Sequence, residues 1–239
     1  MEIHIFKNEP QLLAALAEFF IDTATKAITE RGECNVALSG GRSPKKLYEL
    51  LASSDFNQRL DWQKMRFFFG DERYVPADDP ESNALMAKKA LFDPLQIAPA
   101  QIFQVDTTLS PPAAAQAYTE GISAHFQDQP AAFDLVLLGL GADAHTASLF
   151  PYTSVLATSA ASVEAVWLEK QQGYRITMTA ALINQARQVA FLVYGADKAG
   201  AVRQVLQGAT DMDQYPAQRI CPMVGKVDWF LDETAAEQL

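Results

Sequence analysis

Short apolar runs separated by stretches of helical periodicity constrain this chain more than any other feature. Asn35-Val36-Ala37-Leu38, Arg66-Phe67-Phe68-Phe69, Asp134-Leu135-Val136-Leu137-Leu138 and Val189-Ala190-Phe191-Leu192-Val193-Tyr194 are short and almost uniformly apolar. Such runs fit strands buried on both faces. Between them, Leu12, Leu13, Leu16, Phe19, Phe20 and Ile28 recur at helical spacing after Pro10, and Leu47, Leu50 and Leu51 do so after Pro44. Residues 82–92, Pro111 to about Gln127, Ala180 to Arg187 and about Asp197 to Gln207 also read as helices. Gln101 to Val105, Val163 to Glu169, Tyr174 to Met178 and Val227 to Leu231 are expected as further strands. Strands alternating with helices predict an α/β fold, a three-layer Rossmann-like arrangement with a mostly parallel sheet and helices on both faces. No linker or internal repeat divides the chain, so residues 1–239 are expected to form a single domain.

In such a sheet, ligands bind outside the carboxyl ends of the strands. Three strand-end segments carry the chemistry. Ser39-Gly40-Gly41-Arg42-Ser43-Pro44 joins a strand to a helix N-terminus, where glycines free backbone N–H groups and the helix dipole favours an anion. A plain turn with Ser43 capping the helix is the alternative. Asp71-Glu72-Arg73 follows Phe69-Gly70, either as substrate-orienting charges or as an ion-paired solvated loop. Gly139-Leu140-Gly141-Ala142-Asp143-Ala144-His145 follows the strand at 134–138, leading into a helix-compatible segment that Pro151 stops. His145 is a candidate general base, and Asp143 is placed to support its imidazolium. Arg175 and Lys198 add positive charge near the same edge. His4 and His125, the other two histidines, read as surface residues on an edge strand and an amphipathic helix.

With 29 Asp and Glu against 19 Lys and Arg, the net charge of −10 argues against nucleic acid or an anionic membrane as partner. A small anion can be held only by a local cluster of cations and N–H groups. Cys34 and Cys221 have no metal or redox spacing and suit a reducing compartment. No signal peptide precedes the fold and no apolar run approaches the roughly 20 residues that cross a bilayer, so a cytoplasmic protein is expected. The lack of a long apolar surface helix favours a monomer. No dinucleotide fingerprint, Walker loop, nucleophile elbow or zinc spacing is present.

Leu38 to Pro44, Gly70-Asp71-Glu72-Arg73-Tyr74-Val75-Pro76 with Glu81-Ser82-Asn83, and Gly139 to Pro151, in this order, closely resemble the 6-phosphogluconolactonase family. The likeness extends over essentially the whole chain, including Arg175-Ile176-Thr177 and Gly195-Ala196-Asp197-Lys198. It implies hydrolysis of 6-phospho-D-glucono-1,5-lactone to 6-phosphogluconate, with no metal or organic cofactor. On this reading His145, Asp143 and Arg73 are catalytic, and Ser39, Gly40, Gly41, Arg42, Ser43, Asp71, Arg175 and Lys198 bind substrate. Where the family usually has Asp-Gly-His, this chain has Asp143-Ala144-His145; at φ > 0 the alanine costs roughly 1 kcal/mol. Arg42 stands where a smaller residue is commoner.

Two other readings remain. The glucosamine-6-phosphate deaminase/isomerase family reads Asp-Glu-Tyr at Asp71 to Arg73, and it carries an acid that the stretch Ala147 to Pro151 lacks. A non-catalytic sugar-phosphate sensor would ordinarily accompany a DNA-binding segment, and no basic flank exists here.

Overall fold

The computed structural model describes residues 1–239. The strands are β1 (Glu2–Phe6), β2 (Cys34–Leu38), β3 (Met65–Phe69), β4 (Asp71–Arg73), β5 (Leu135–Leu138), β6 (Val163–Leu168), β7 (Gly173–Met178), β8 (Gln188–Val193) and β9 (Lys226–Asp232). The helices are α1 (Glu9–Arg31), α2 (Arg42–Leu51), α3 (Asn83–Ala87), α4 (Asp93–Leu95), α5 (Pro111–His125), α6 (Ala180–Ile183) and α7 (Ala199–Gln207). A π-helical turn, Lys88–Phe92, joins α3 to α4.

Six strands form one all-parallel sheet in the order β1-β9-β8-β5-β2-β3. Alternate residues of β2, β3, β5 and β8 enter opposite cores, which is why these runs are apolar throughout. Phe67, Phe69, Leu135, Leu137, Ala190 and Leu192 face α1 and α2, whereas Phe68, Val136, Leu138, Val189, Phe191 and Val193 face α5 and its neighbours. Asn8 caps α1 through Gln11 N–H, Pro10 occupies its first turn, and Gly32 ends it at φ 86°. The fold is the expected α/β arrangement, with helices against both faces of a mostly parallel sheet.

Several local expectations change. The segments β6 and β7 do not join the main sheet: β7 pairs antiparallel with β4 and β6 with β7, in the order β4-β7-β6. Gly70 is the joint between the sheets: its N–H donates to Leu38 O, and its carbonyl accepts from Met178 N–H. Gln101 to Val105 is no strand; it makes one bridge, between Ile102 and Phe67. The segment after His145 is not helical and turns through Thr146 and Leu149. Nor does Ser43 cap α2, which starts at Arg42 after Gly41. His125 is no surface residue: its ring lies among Phe68, Phe103 and Phe126, and its Nε2 meets Asn35 Oδ1 at 2.6 Å. Burial lowers its pKa. His4 sits half-buried on edge strand β1, with Nε2 2.8 Å from Asp228 Oδ1.

At the amino ends of the strands, Asp134 draws several elements together. Its buried carboxylate accepts Asn35 N–H at 2.8 Å and pairs with Arg31 at the end of α1, 2.9 Å away, and with Arg187 before β8 at 3.5 Å. Removing it strands a buried amide and a half-buried guanidinium. Asp134→Ala is expected to cost about 3 kcal/mol, near 10 °C in melting temperature for a chain this long. Turnover at 25 °C should be unaffected, because the site described next lies at the opposite end of the sheet. Asp134→Asn, which keeps an acceptor for Asn35, should lose less. Thermal melts check this, and an unchanged midpoint for Asp134→Ala would contradict it.

Candidate active site

At the carboxyl ends of β2, β5 and β8 opens a cavity of about 730 Å³. The chain leaves β2 toward β3 on one side, and leaves β5 toward β8 on the other, so β2 and β5 flank the topological switch point. Every residue that the family resemblance assigns to the site lines this cavity except Asp143.

The β2–α2 loop is held from below. Tyr48 Oη, fully buried, donates to Ser39 O at 2.8 Å and accepts Ser39 N–H at 3.0 Å. Burial raises the Tyr48 pKa, so the phenol stays neutral and able to donate. Gly41 adopts φ 105°, and no side chain caps α2, which leaves its first N–H groups available to an anion. Gly40 is needed for a different reason: a Cβ there would lie 1.9 Å from Asn83 Oδ1. Asn83 is itself buried, its Nδ2 donates to Asp71 O at 2.9 Å, and its Oδ1 has no hydrogen-bond partner.

Asp71-Glu72-Arg73 is strand β4, so its three side chains alternate. Asp71 and Arg73 line the cavity. Glu72 turns into the protein, neither solvated nor part of the site. Its carboxylate accepts from the N–H groups of Arg73, Asn83 and Ala84 at 2.7 to 2.8 Å and, at 3.3 Å, from Ser82 Oγ. Burial raises its pKa against these hydrogen bonds. Glu72 thus fixes two cavity residues without entering the cavity. Ser148 Oγ donates to Asp71 Oδ2 at 2.6 Å, which orients that carboxylate. Arg73 stands opposite Arg175 across the β4–β7 pair. Both guanidiniums hydrogen-bond to backbone carbonyls, Glu81 O and Tyr174 O respectively. Burial, and next the charge of Arg73, lower the Arg175 pKa. Two like charges so placed favour an anion between them.

The third segment carries His145. Its Nδ1 lies 2.5 Å from Asp143 Oδ1, and its ring stacks on Phe150 with centroids 4.0 Å apart. The Asp143 carboxyl is held down at about 2, first by the hydrogen bond from His145 and against partial burial. An ionised carboxylate at Nδ1 places the proton on Nδ1 and leaves Nε2 as the basic nitrogen. His145 lines the cavity while Asp143 stands behind it. Gly141 permits this packing, since a Cβ there would meet His145 Nδ1 at 2.0 Å. Ala144 does adopt φ 61°. It is also fully buried, with N–H donating to Gly141 O and carbonyl accepting from Ala217 N–H. The left-handed penalty of roughly 1–2 kcal/mol is offset in part by about 0.8 kcal/mol from the buried methyl.

The sequence reading missed Lys46, Asn83 and Gln171, which also line the cavity. Lys46 lies one helical turn beyond Arg42, a spacing that signals a shared face. Its Nζ is 2.5 Å from Glu9 Oε1 and 5.7 Å from the Tyr194 ring centroid. Lys198, on the turn after β8, lies 3.3 Å from Asp197. In total the cavity carries Arg42, Lys46, Arg73, Arg175 and Lys198 against Asp71 and Asp197. Thus a chain of net charge −10 concentrates an excess of positive charge at this one edge.

A family model described as glucosamine-6-phosphate isomerases/6-phosphogluconolactonase matches residues 7–229. A 6-phosphogluconolactonase of Synechocystis sp. is 45% identical over 242 residues, covering 100% of this chain and 98% of that relative. One from Haemophilus influenzae is 36% identical, covering 86% of this chain and 87% of the relative. The solved structure of 6-phosphogluconolactonase from Trypanosoma cruzi superposes with a TM-score of 0.89 at 29% identity, over 100% of this chain and 96% of that one. A monomeric glucosamine-6-phosphate deaminase superposes with a TM-score of 0.84 at 21% identity, full length on both sides, a likeness of fold alone. The chain belongs to the glucosamine-6-phosphate isomerase/6-phosphogluconolactonase family.

Proposed function

We propose that this protein hydrolyses 6-phospho-D-glucono-1,5-lactone to 6-phosphogluconate, with His145 as general base. The observation that carries this reading is the pairing of His145 Nδ1 with Asp143, which turns a basic nitrogen toward a cation-rich cavity. Water gives a proton to His145 Nε2 as its oxygen bonds to C1 of the lactone. Asp143 stabilises the imidazolium so formed. The C1 oxyanion is met by Arg73, with Arg175 beside it. Collapse of the adduct breaks the bond from C1 to the ring oxygen, which takes the proton back from His145. The product is an open-chain acid that ionises at once.

The 6-phosphate is assigned to the N-terminal turn of α2, with Ser39, Gly40, Gly41, Arg42 and Ser43 around it and Lys46 and Lys198 as further cations. Asp71, held by Ser148, accepts from a sugar hydroxyl. Fixing both ends of the substrate orients C1 under the base. The stretch after His145 supports hydrolysis over deamination. Phe150 stacks on the imidazole there, and Thr146 to Phe150 supply no carboxylate for amine loss.

His145→Ala should lower the catalysed rate about 10²–10⁴-fold in a protein that still folds, with a lower melting temperature because the contacts to Asp143 and Phe150 are lost. The assay follows lactone loss above its spontaneous hydrolysis, with glucosamine 6-phosphate as a control substrate that stays unchanged. A full wild-type rate in His145→Ala would remove the base from this mechanism.

Gly40→Ala forces the buried Asn83 amide off the loop and should raise KM for the lactone by about tenfold or more, at a stability cost near 1–3 kcal/mol. Steady-state kinetics with unchanged KM would show that the loop does not hold substrate.

The Asp143–His145 pair also predicts acid behaviour. A carboxyl whose folded-state pKa is depressed adds stability above its unfolded-state value, near 4, and loses it as pH falls toward 2. Between about pH 4 and 2, wild type should therefore lose stability relative to Asp143→Asn. Denaturant melts across that window test it; parallel curves would contradict it.

A further inference from the structure

Behind the wall that carries His145 lies a second cavity, of about 720 Å³. Asp143 and Phe150 form the partition. Both contacts of Asp143 with His145 run through Oδ1, yet its side chain is 49% exposed and lines the second cavity. Phe150 lines both. The remaining walls are unlike those of the active site. Tyr152 and Trp167, 73% and 41% exposed, flank the cavity with Tyr215 nearby. Asp143 and Glu169 are its acids and Lys170 its single cation, so its charge is opposite in sign to that of the active-site cavity. Tyr152 is held in the left-handed region, φ 62°, with its N–H donating to Asp213 O. A bulky residue kept in that conformation with its ring in solvent is a feature that clusters at binding sites.

We propose that this second cavity binds a small organic cation: a protonated amine attached to a flat ring. Exposed aromatic faces beside carboxylates attract such a group through cation–π and charge-assisted contacts, whereas a phosphorylated sugar is repelled. The ring lies against Tyr152 and Trp167, and the ammonium reaches Asp143 and Glu169. Because Asp143 also holds His145, an occupant draws the carboxylate's charge away from the imidazolium. Occupancy therefore slows turnover without blocking the phosphate loop. This last consequence rests on the assignment of His145 as base; the binding itself does not.

Three probes share one ring and differ in charge: benzylammonium, benzyl alcohol and benzoate. Trp167 reports on them selectively, since Trp62 and Trp229 are only 8% and 2% exposed. Titration of the full chain should show saturable binding of benzylammonium, at least tenfold weaker binding of benzyl alcohol, and none of benzoate. Tyr152→Ala and Glu169→Gln should each weaken benzylammonium about tenfold, read by calorimetry, with melting curves confirming that both variants fold. Benzoate binding as tightly as benzylammonium, no saturation by any probe, or unaltered affinity in both variants would overturn the site. In the lactone assay, saturating benzylammonium should lower kcat several-fold and leave KM unchanged. Competition with lactone would instead place the probe in the active-site cavity and overturn the proposal. Should His145→Ala retain full activity while these affinities behave as expected, the base assignment fails and the binding site stands.

Discussion

The parallel pairing of β2 with β5 is the constraint on which the rest of the structure depends. Val36 lies beside Leu135 and Ala37 beside Val136, all buried. Because the strands run the same way, the loops that follow Leu38 and Leu138 emerge at one edge, next to each other. One loop supplies uncapped helix N–H groups and the other the imidazole. A one-residue slip would exchange the core that each side chain of β5 enters and misfit the packing on both faces. Asp134 guards that register by accepting Asn35 N–H while its own N–H donates to Asn35 O.

Around this frame, groups outside the cavity fix groups inside it. Tyr48 ties the Ser39 backbone, Ser148 orients Asp71, and Glu72 binds the amides of Arg73 and Asn83. Phe150 holds one face of the His145 ring by stacking, and Asp143 holds its edge by a hydrogen bond at Nδ1. The supports from Tyr48, Glu72 and Ser148 are short-range and shielded from solvent, where hydrogen bonds are stronger than in water. The acidic surface around the cation-rich cavity repels anions elsewhere, so an anionic substrate has one favourable place to settle.

The three strand-end loops were legible in the sequence because each joins an apolar run to glycines and charges within a few residues. The α/β class was legible for the same reason. What escaped depends on contacts between residues far apart in the chain. Glu72 looks like its charged neighbours until β4 pairs with β7 and turns it inward. Asn83 becomes a cavity residue only because Gly40 leaves room for its amide. The strand-like pattern at 163–178 did not reveal that a bend at Gly70 would draw these strands into a separate sheet. His125, polar on an otherwise amphipathic helix, is claimed by Phe68, Phe103 and Phe126 from other elements. Ala144 is the converse case: the sequence flagged a left-handed turn, the turn is there, and burial of the methyl offsets part of its strain.

The most direct test of the two-ended site is the structure of the protein with 6-phosphogluconate bound. The phosphate should accept hydrogen bonds from the first N–H groups of α2 beside Gly41, with the C1 carboxylate at His145 Nε2 and Arg73. A product bound the other way round, with its phosphate at His145, would contradict the assignment of both ends.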